Sequence, residues 1–177
     1  SLSEGKSKIL DAGCGNGVQA LYIARRNPKS VIYGYDLSYE QISIANTYKQ
    51  KHKINNVFFY EASHDDFRPQ CKFDFIYTTG SLIGEHECYW DGQDQMRTAE
   101  ELIRIRLLKF SEMFLSRGIY LITMVSNEQL NKDFIEIAGG CNLNYLNTIE
   151  GDWFEEGIYS YDKYRQTALI FKKQTPL

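Results

Sequence analysis

Apolar residues fall along this chain in two alternating patterns. Short runs rich in β-branched and aromatic residues (Val31 to Tyr35, Asn56 to Tyr60, Phe73 to Tyr77, Ile119 to Val125) predict strands, the last continuous enough to be buried on both faces. Between them apolar positions recur at helical spacing: Val18, Leu21, Tyr22 and Ile23-Ala24 ahead of Asn27-Pro28, then Ile42, Ile44-Ala45 and Tyr48 within Tyr39 to Lys53. A long helix is predicted over Ala99 to Arg117, with Leu102, Ile103, Ile105, Leu108, Met113 and Phe114 mostly inward, and a shorter one over Glu128 to Ala138. The breaks have physical causes. Pro28 disfavours helical geometry in the residue before it, and Gly118 stands where a helix C-terminus favours glycine. Leu143 to Ile149 and Thr167 to Phe171 predict a closing strand pair, joined through Glu150-Gly151-Asp152-Trp153-Phe154-Glu155-Glu156-Gly157.

One stretch stands apart from this alternation: Ile9-Leu10-Asp11-Ala12-Gly13-Cys14-Gly15-Asn16-Gly17. An apolar run ends in an acid, glycines follow at every second position, and a helical pattern opens at Val18. Glycine admits unusual backbone angles and lets a ligand lie against bare main chain, while N–H groups at the helix start point into the same crevice. The second strand ends at Asp36, 19 positions after Gly17, and a right-handed strand–helix–strand connection brings that carboxylate beside the glycine loop.

A dinucleotide fingerprint requires Gly-x-Gly-x-x-Gly/Ala, and Val18 occupies the place of its third small residue. That spacing disfavours a nicotinamide dehydrogenase. The pattern Asp-x-Gly-x-Gly-x-Gly instead resembles motif I of the class I S-adenosylmethionine-dependent methyltransferases. The resemblance implies a three-layer, Rossmann-like α/β fold with a seven-stranded, mostly parallel sheet whose last strand is antiparallel, spanning residues 1–177 as a single domain. It implies S-adenosyl-L-methionine as cofactor and S-adenosyl-L-homocysteine as product.

The same resemblance assigns roles. Asp11, Gly13, Cys14 and Gly15 lie under the methionine end, with Asp11 orienting its ammonium, and Asp36, with Leu37 after it, meets the ribose hydroxyls. The adenine position falls at Ser63 and His64, where the family often has an acid; Asp65 is the alternative there, and His64 reads more readily as an exposed loop residue than as a catalyst. Thr78 leaves the fourth strand toward the transferable methyl group. Beyond it, Glu85, His86 and Glu87 are candidate proton acceptors, His86 having the unperturbed pKa nearest neutrality. The Trp153 segment reads either as an acidic-aromatic contact for a cationic substrate or as a solvated loop over a sheet edge. Family members carry helices upstream of the first strand, whereas only Ser1 to Lys8 precede it here, so the chain reads as a trimmed core or one piece of a larger protein.

Composition narrows the partners. The 177 residues, 43% hydrophobic and 24% charged with a formal net charge of -3, suit one ordinary globular domain and not a protein that coats nucleic acid by bulk charge. No apolar run reaches membrane-spanning length. Cys14, Cys71, Cys88 and Cys141 are scattered without a Cys-x-x-Cys pair, which predicts no metal site, free thiols and a reducing, cytoplasmic setting. The absence of Asn/Asp-Pro-Pro-Tyr/Phe and of a Pro-Cys nucleophile argues against DNA-base methylation. The expected acceptor is a small molecule methylated at oxygen or nitrogen, with no nucleic acid or membrane partner. A non-catalytic cofactor-binding module, or the core of a hetero-oligomeric protein, is the competing expectation.

Overall fold

The computed structural model describes residues 6–82, 99–125, 128–152 and 165–174. In chain order the elements are β1 Lys8–Ala12, α1 Val18–Arg26, β2 Val31–Asp36, α2 Tyr39–Lys51, β3 Val57–Glu61, β4 Phe73–Thr79, α3 Ala99–Met113, β5 Phe114–Val125, α4 Glu128–Gly139, β6 Leu143–Asp152 and β7 Arg165–Lys173. The strands order as β3-β2-β1-β4-β5-β7-β6. From β3 to β5 every pairing is parallel, while β7 runs antiparallel to both β5 and β6. Strand order reverses direction between β1 and β4, the switch point beyond whose carboxyl ends open α/β sheets bind ligands.

Alternation along β1 separates the two faces. Ile9 packs with Ala20, Leu21 and Ala24 of α1 and with Ile32, Ile54 and Val57. Leu10 and Ala12 point to the other side, into a larger core built from Ile103, Leu107 and Phe110 of α3 and Phe134, Ile137 and Ala138 of α4. Helices therefore cover both faces of a parallel-dominated sheet. Among the described residues no helix is long and apolar enough to cross a membrane, no group of His, Cys, Asp and Glu is placed to hold a metal, and Cys14, Cys71 and Cys141 are free thiols.

Four boundaries differ from the sequence reading. The long helix stops at Met113 rather than Arg117, and Phe114 already pairs with Phe73 as the first residue of β5. Gly118 is thus a strand residue: a Cβ there would lie 2.0 Å from Cδ1 of Phe114, so glycine makes room for a buried ring instead of ending a helix. Gly118→Ala is expected to cost about 1–3 kcal/mol of stability through overpacking, which urea denaturation would read. Helix α2 ends at Lys51, two residues before Lys53, whose φ is +53°. Thr78 does not leave β4 but pairs within it, opposite Ile122. Glu150, Gly151 and Asp152, read as part of a connecting loop, pair with Thr167, Gln166 and Arg165.

Candidate functional site

The crevice beyond β1 and β4 is bounded by four strand exits. At its centre the glycine loop turns on three left-handed residues, Gly13 (φ +78°), Gly15 (φ +51°) and Gly17 (φ +75°). The N–H groups of Gly13 and Cys14 both donate to the Tyr35 carbonyl at 2.9 Å, tying the loop to β2. The glycines do different work. A Cβ on Gly13 would fall 2.2 Å from Oγ of Ser81, and one on Gly17 would fall 2.6 Å from the Phe59 ring and 2.8 Å from Ala45. Those two positions admit close packing. A Cβ on Gly15 meets nothing within 4 Å, so of these three loop glycines Gly15 presents bare main chain to open space.

Two acids frame the loop. Asp36, half-buried at the end of β2, accepts from the Gly15 N–H at 2.8 Å through one carboxylate oxygen and from the Ser38 N–H at 3.0 Å through the other. It thereby shapes the loop, while the N-cap of α2 is the neighbouring Ser38, whose hydroxyl accepts from the Gln41 N–H. Asp11 is only 2% exposed and accepts from the Tyr77 hydroxyl at 2.8 Å. Burial pushes its carboxyl up to about 7; the Tyr77 hydrogen bond opposes that, and the charge of Asp36 adds to it. The Tyr77 hydroxyl is itself pushed up, by burial and then by Asp11, and so stays a donor. Burial, with Asp11 and Asp36 nearby, raises the Cys14 thiol, which removes it as a nucleophile.

At the β3 exit the Ser63 hydroxyl donates to Asp66 at 2.6 Å and accepts from the Asp66 N–H at 3.0 Å, capping its own turn. Asp65 has its carboxylate 3.8 Å from Arg106 of α3. His64 is not the exposed loop residue expected from the sequence. It is 8% exposed, packed edge-on against Tyr35 and Phe110, with Nδ1 2.8 Å from the Tyr35 hydroxyl and Nε2 2.5 Å from the Ser81 carbonyl. Burying an imidazole is tolerable when both nitrogens are bonded.

Leu37, 66% exposed directly after Asp36, presents an apolar side chain at the rim. Thr78 is fully buried, and Thr79 beside it donates to Gln19 of α1 at 3.1 Å. The structure thus gathers Asp11, Gly13, Cys14, Gly15 and Asp36, with exposed Leu37 after it, at the carboxyl ends of β1 and β2, and buries Thr78 and His64. Glu85, His86, Glu87 and Trp153 lie outside the described residues. The sequence reading missed Tyr35, Tyr77 and Ser81. Tyr77 is found only through the parallel register Asp11↔Tyr77, a pairing no local pattern announces.

A family model described as a methyltransferase domain matches residues 3–162. A Rickettsia prowazekii protein of uncharacterized function, RP028, is 43% identical over 75 residues, which make up 42% of this chain and 30% of that protein. The matched segments span about a third of the length of the curated relatives concerned. Among solved structures, magnesium protoporphyrin IX methyltransferase from Synechocystis PCC 6803 with bound SAM superposes with a TM-score of 0.71 at 16% identity, over 97% of this chain and 72% of that one. The (4+2)-cyclase SpnF superposes with a TM-score of 0.74 at 17% identity, over 99% of this chain and 78% of that one. At such identities the likeness is one of fold.

Proposed function

The chain belongs to the methyltransferase domain family, and from that premise we propose that it binds S-adenosyl-L-methionine in the crevice beyond β1 and β4 and methylates an oxygen or nitrogen of a small-molecule acceptor. The observation that carries this reading is the open Cβ direction of Gly15 between two glycines whose Cβ directions are filled. A loop shaped for tight packing throughout would have no use for that gap. The residues present also fit the cofactor's charges. Asp11 and Asp36 supply two carboxylates for an ammonium and a ribose, the first turn of α1 carries no acid to repel a carboxylate, and exposed Leu37 offers an apolar surface to a base. Residues 1–177 are proposed to form one cofactor-binding domain.

When bound, the cofactor supplies a methyl group already activated on a sulfonium. The protein's share is then alignment and exclusion of water, which proximity alone can make large. Asp36 fixes the loop and the ribose together, since its two oxygens already hold the Gly15 and Ser38 N–H groups. Asp11 holds the ammonium while Tyr77 fixes its carboxylate. His86, with Glu85 beside it in the segment after β4, is proposed to take the acceptor's proton where the acceptor carries one.

Asp11 makes binding pH-dependent. An ammonium beside it favours the carboxylate, so binding draws off a proton from a group that stands near 7 without ligand. Affinity for S-adenosylhomocysteine is expected to fall by about tenfold per pH unit below 7 and to level off above it. Calorimetry between pH 5.5 and 8.5 measures this, and a flat profile would separate Asp11 from the ligand.

The decisive test is incubation with S-adenosylmethionine and panels of small alcohols, phenols, carboxylates and amines, with detection of S-adenosylhomocysteine. The fold likeness to a cyclase favours one alternative, a protein that uses the same cradle without transferring methyl. Cofactor binding with no product across all acceptor classes would select it.

A further inference from the structure

We propose that His64 is a positioning residue of the cofactor crevice, holding the β4 exit at Ser81 against the glycine loop without itself touching the cofactor; this rests on the cofactor reading above. The hydrogen bonds around His64 form a closed circuit. The Tyr35 carbonyl accepts from the Gly13 and Cys14 N–H groups, and the hydroxyl of the same tyrosine lies 2.8 Å from Nδ1 of His64. Nε2 of His64 lies 2.5 Å from the Ser81 carbonyl. The Ser81 hydroxyl donates to the Ala12 carbonyl at 2.6 Å, the residue before Gly13, which returns the chain of bonds to its origin. One histidine thus connects the exits of β1, β2, β3 and β4.

The Ser81 carbonyl fixes one proton of the ring. A carbonyl oxygen only accepts, so Nε2 carries a proton; in the neutral ring Nδ1 is then the acceptor and the Tyr35 hydroxyl the donor. Imidazole places a donor and an acceptor on opposite edges of one rigid ring, which suits a link between a hydroxyl and a carbonyl across a narrow gap. The link bears on the crevice through Ser81. Its side chain fills the space where a Cβ of Gly13 would stand, at 2.2 Å from Oγ and 2.3 Å from Cβ, so a displaced Ser81 changes the support of the glycine loop directly. The backbone of His64 is pinned from α3 as well, since Lys109 donates to the His64 carbonyl at 2.6 Å and to that of Asp65 at 2.9 Å.

The test compares wild type with His64→Leu, His64→Gln and Tyr35→Phe. Long-range nitrogen–proton correlations in the wild type are expected to report the neutral Nε2–H tautomer. His64→Leu should weaken S-adenosylhomocysteine binding by at least about tenfold and speed amide exchange at Gly13 and Cys14. His64→Gln, which returns an N–H to the Ser81 carbonyl, should recover most of both. Tyr35→Phe removes a single hydroxyl and should give an intermediate loss, which keeps the test decisive if His64→Leu does not fold. Wild-type affinity and exchange in a folded His64→Leu, or an Nδ1–H tautomer, would overturn the proposal. A wild-type protein that does not bind S-adenosylhomocysteine would overturn the cofactor reading instead, and the exchange rates would then decide the circuit on their own.

Discussion

Gly15→Val is expected to abolish S-adenosylhomocysteine binding in a protein that remains folded. Nothing lies within 4 Å of a Cβ at this position, so the added methyl groups enter the crevice and not the core. The cost to the fold is local: a side chain at φ +51° carries about 1–2 kcal/mol of left-handed strain, within the stability of an ordinary domain. Gly15→Ala carries similar strain with less bulk and should bind weakly instead of not at all. The neighbouring glycines provide the contrast. Gly17→Val would drive its branches into Phe59 and Ala45, and Gly13→Val into Ser81, so both are expected to lose stability before ligand binding is in question. Calorimetry and urea denaturation on the three valine variants separate the roles, and a Gly15→Val protein that binds like wild type would remove the loop as a cradle.

Asp11→Asn is expected to move stability and binding in opposite directions. The Asp11 carboxyl, ordinarily at 3.8, stands near 7 in the fold, so the native state prefers the protonated acid. Stability from this group is therefore fully present below pH 4, is lost as pH rises toward 7, and is flat above that. The difference corresponds to roughly 4 kcal/mol at full extent, an upper figure for a buried group. Asparagine keeps an oxygen for the Tyr77 hydroxyl and carries no charge to desolvate. The variant should then exceed wild type by a few kcal/mol in urea denaturation at pH 8 and match it at pH 4. Its affinity for S-adenosylhomocysteine at pH 8 should fall by about 10–100-fold, the loss of a charged partner for an ammonium. Equal stabilities at pH 8 would show that Asp11 is not held under strain, and unchanged affinity would place the ammonium elsewhere. A carboxylate that burdens the fold where asparagine would not is what a binding site requires and a packing site does not.

The alternating patterns were sufficient for most of the individual strands and helices, because each pattern reports a local period that survives burial, while the three-layer α/β arrangement came from the resemblance carried by the glycine motif. The glycine spacing and the acid at the end of β2 likewise pointed to the crevice, since the short βαβ connection carries the Asp36 carboxylate to Gly15 with no information from elsewhere. What local pattern could not contain were choices made between segments far apart in the chain. Met113 ends α3 because the Phe114 ring is worth more opposite Phe73 and over Gly118 than on a helix face. His64 is buried rather than exposed because Tyr35 and Ser81, 29 and 17 residues away, supply both of its ring nitrogens with partners. Three glycines identical in sequence spacing separate into two that admit neighbours and one that faces the ligand's space, according to whether Ser81, Phe59 or nothing stands over them. Periodicity and motif spacing are properties of a few consecutive residues and were readable there, whereas satisfaction of a buried polar group and room for a Cβ are properties of the surroundings, which exist only once the chain has folded.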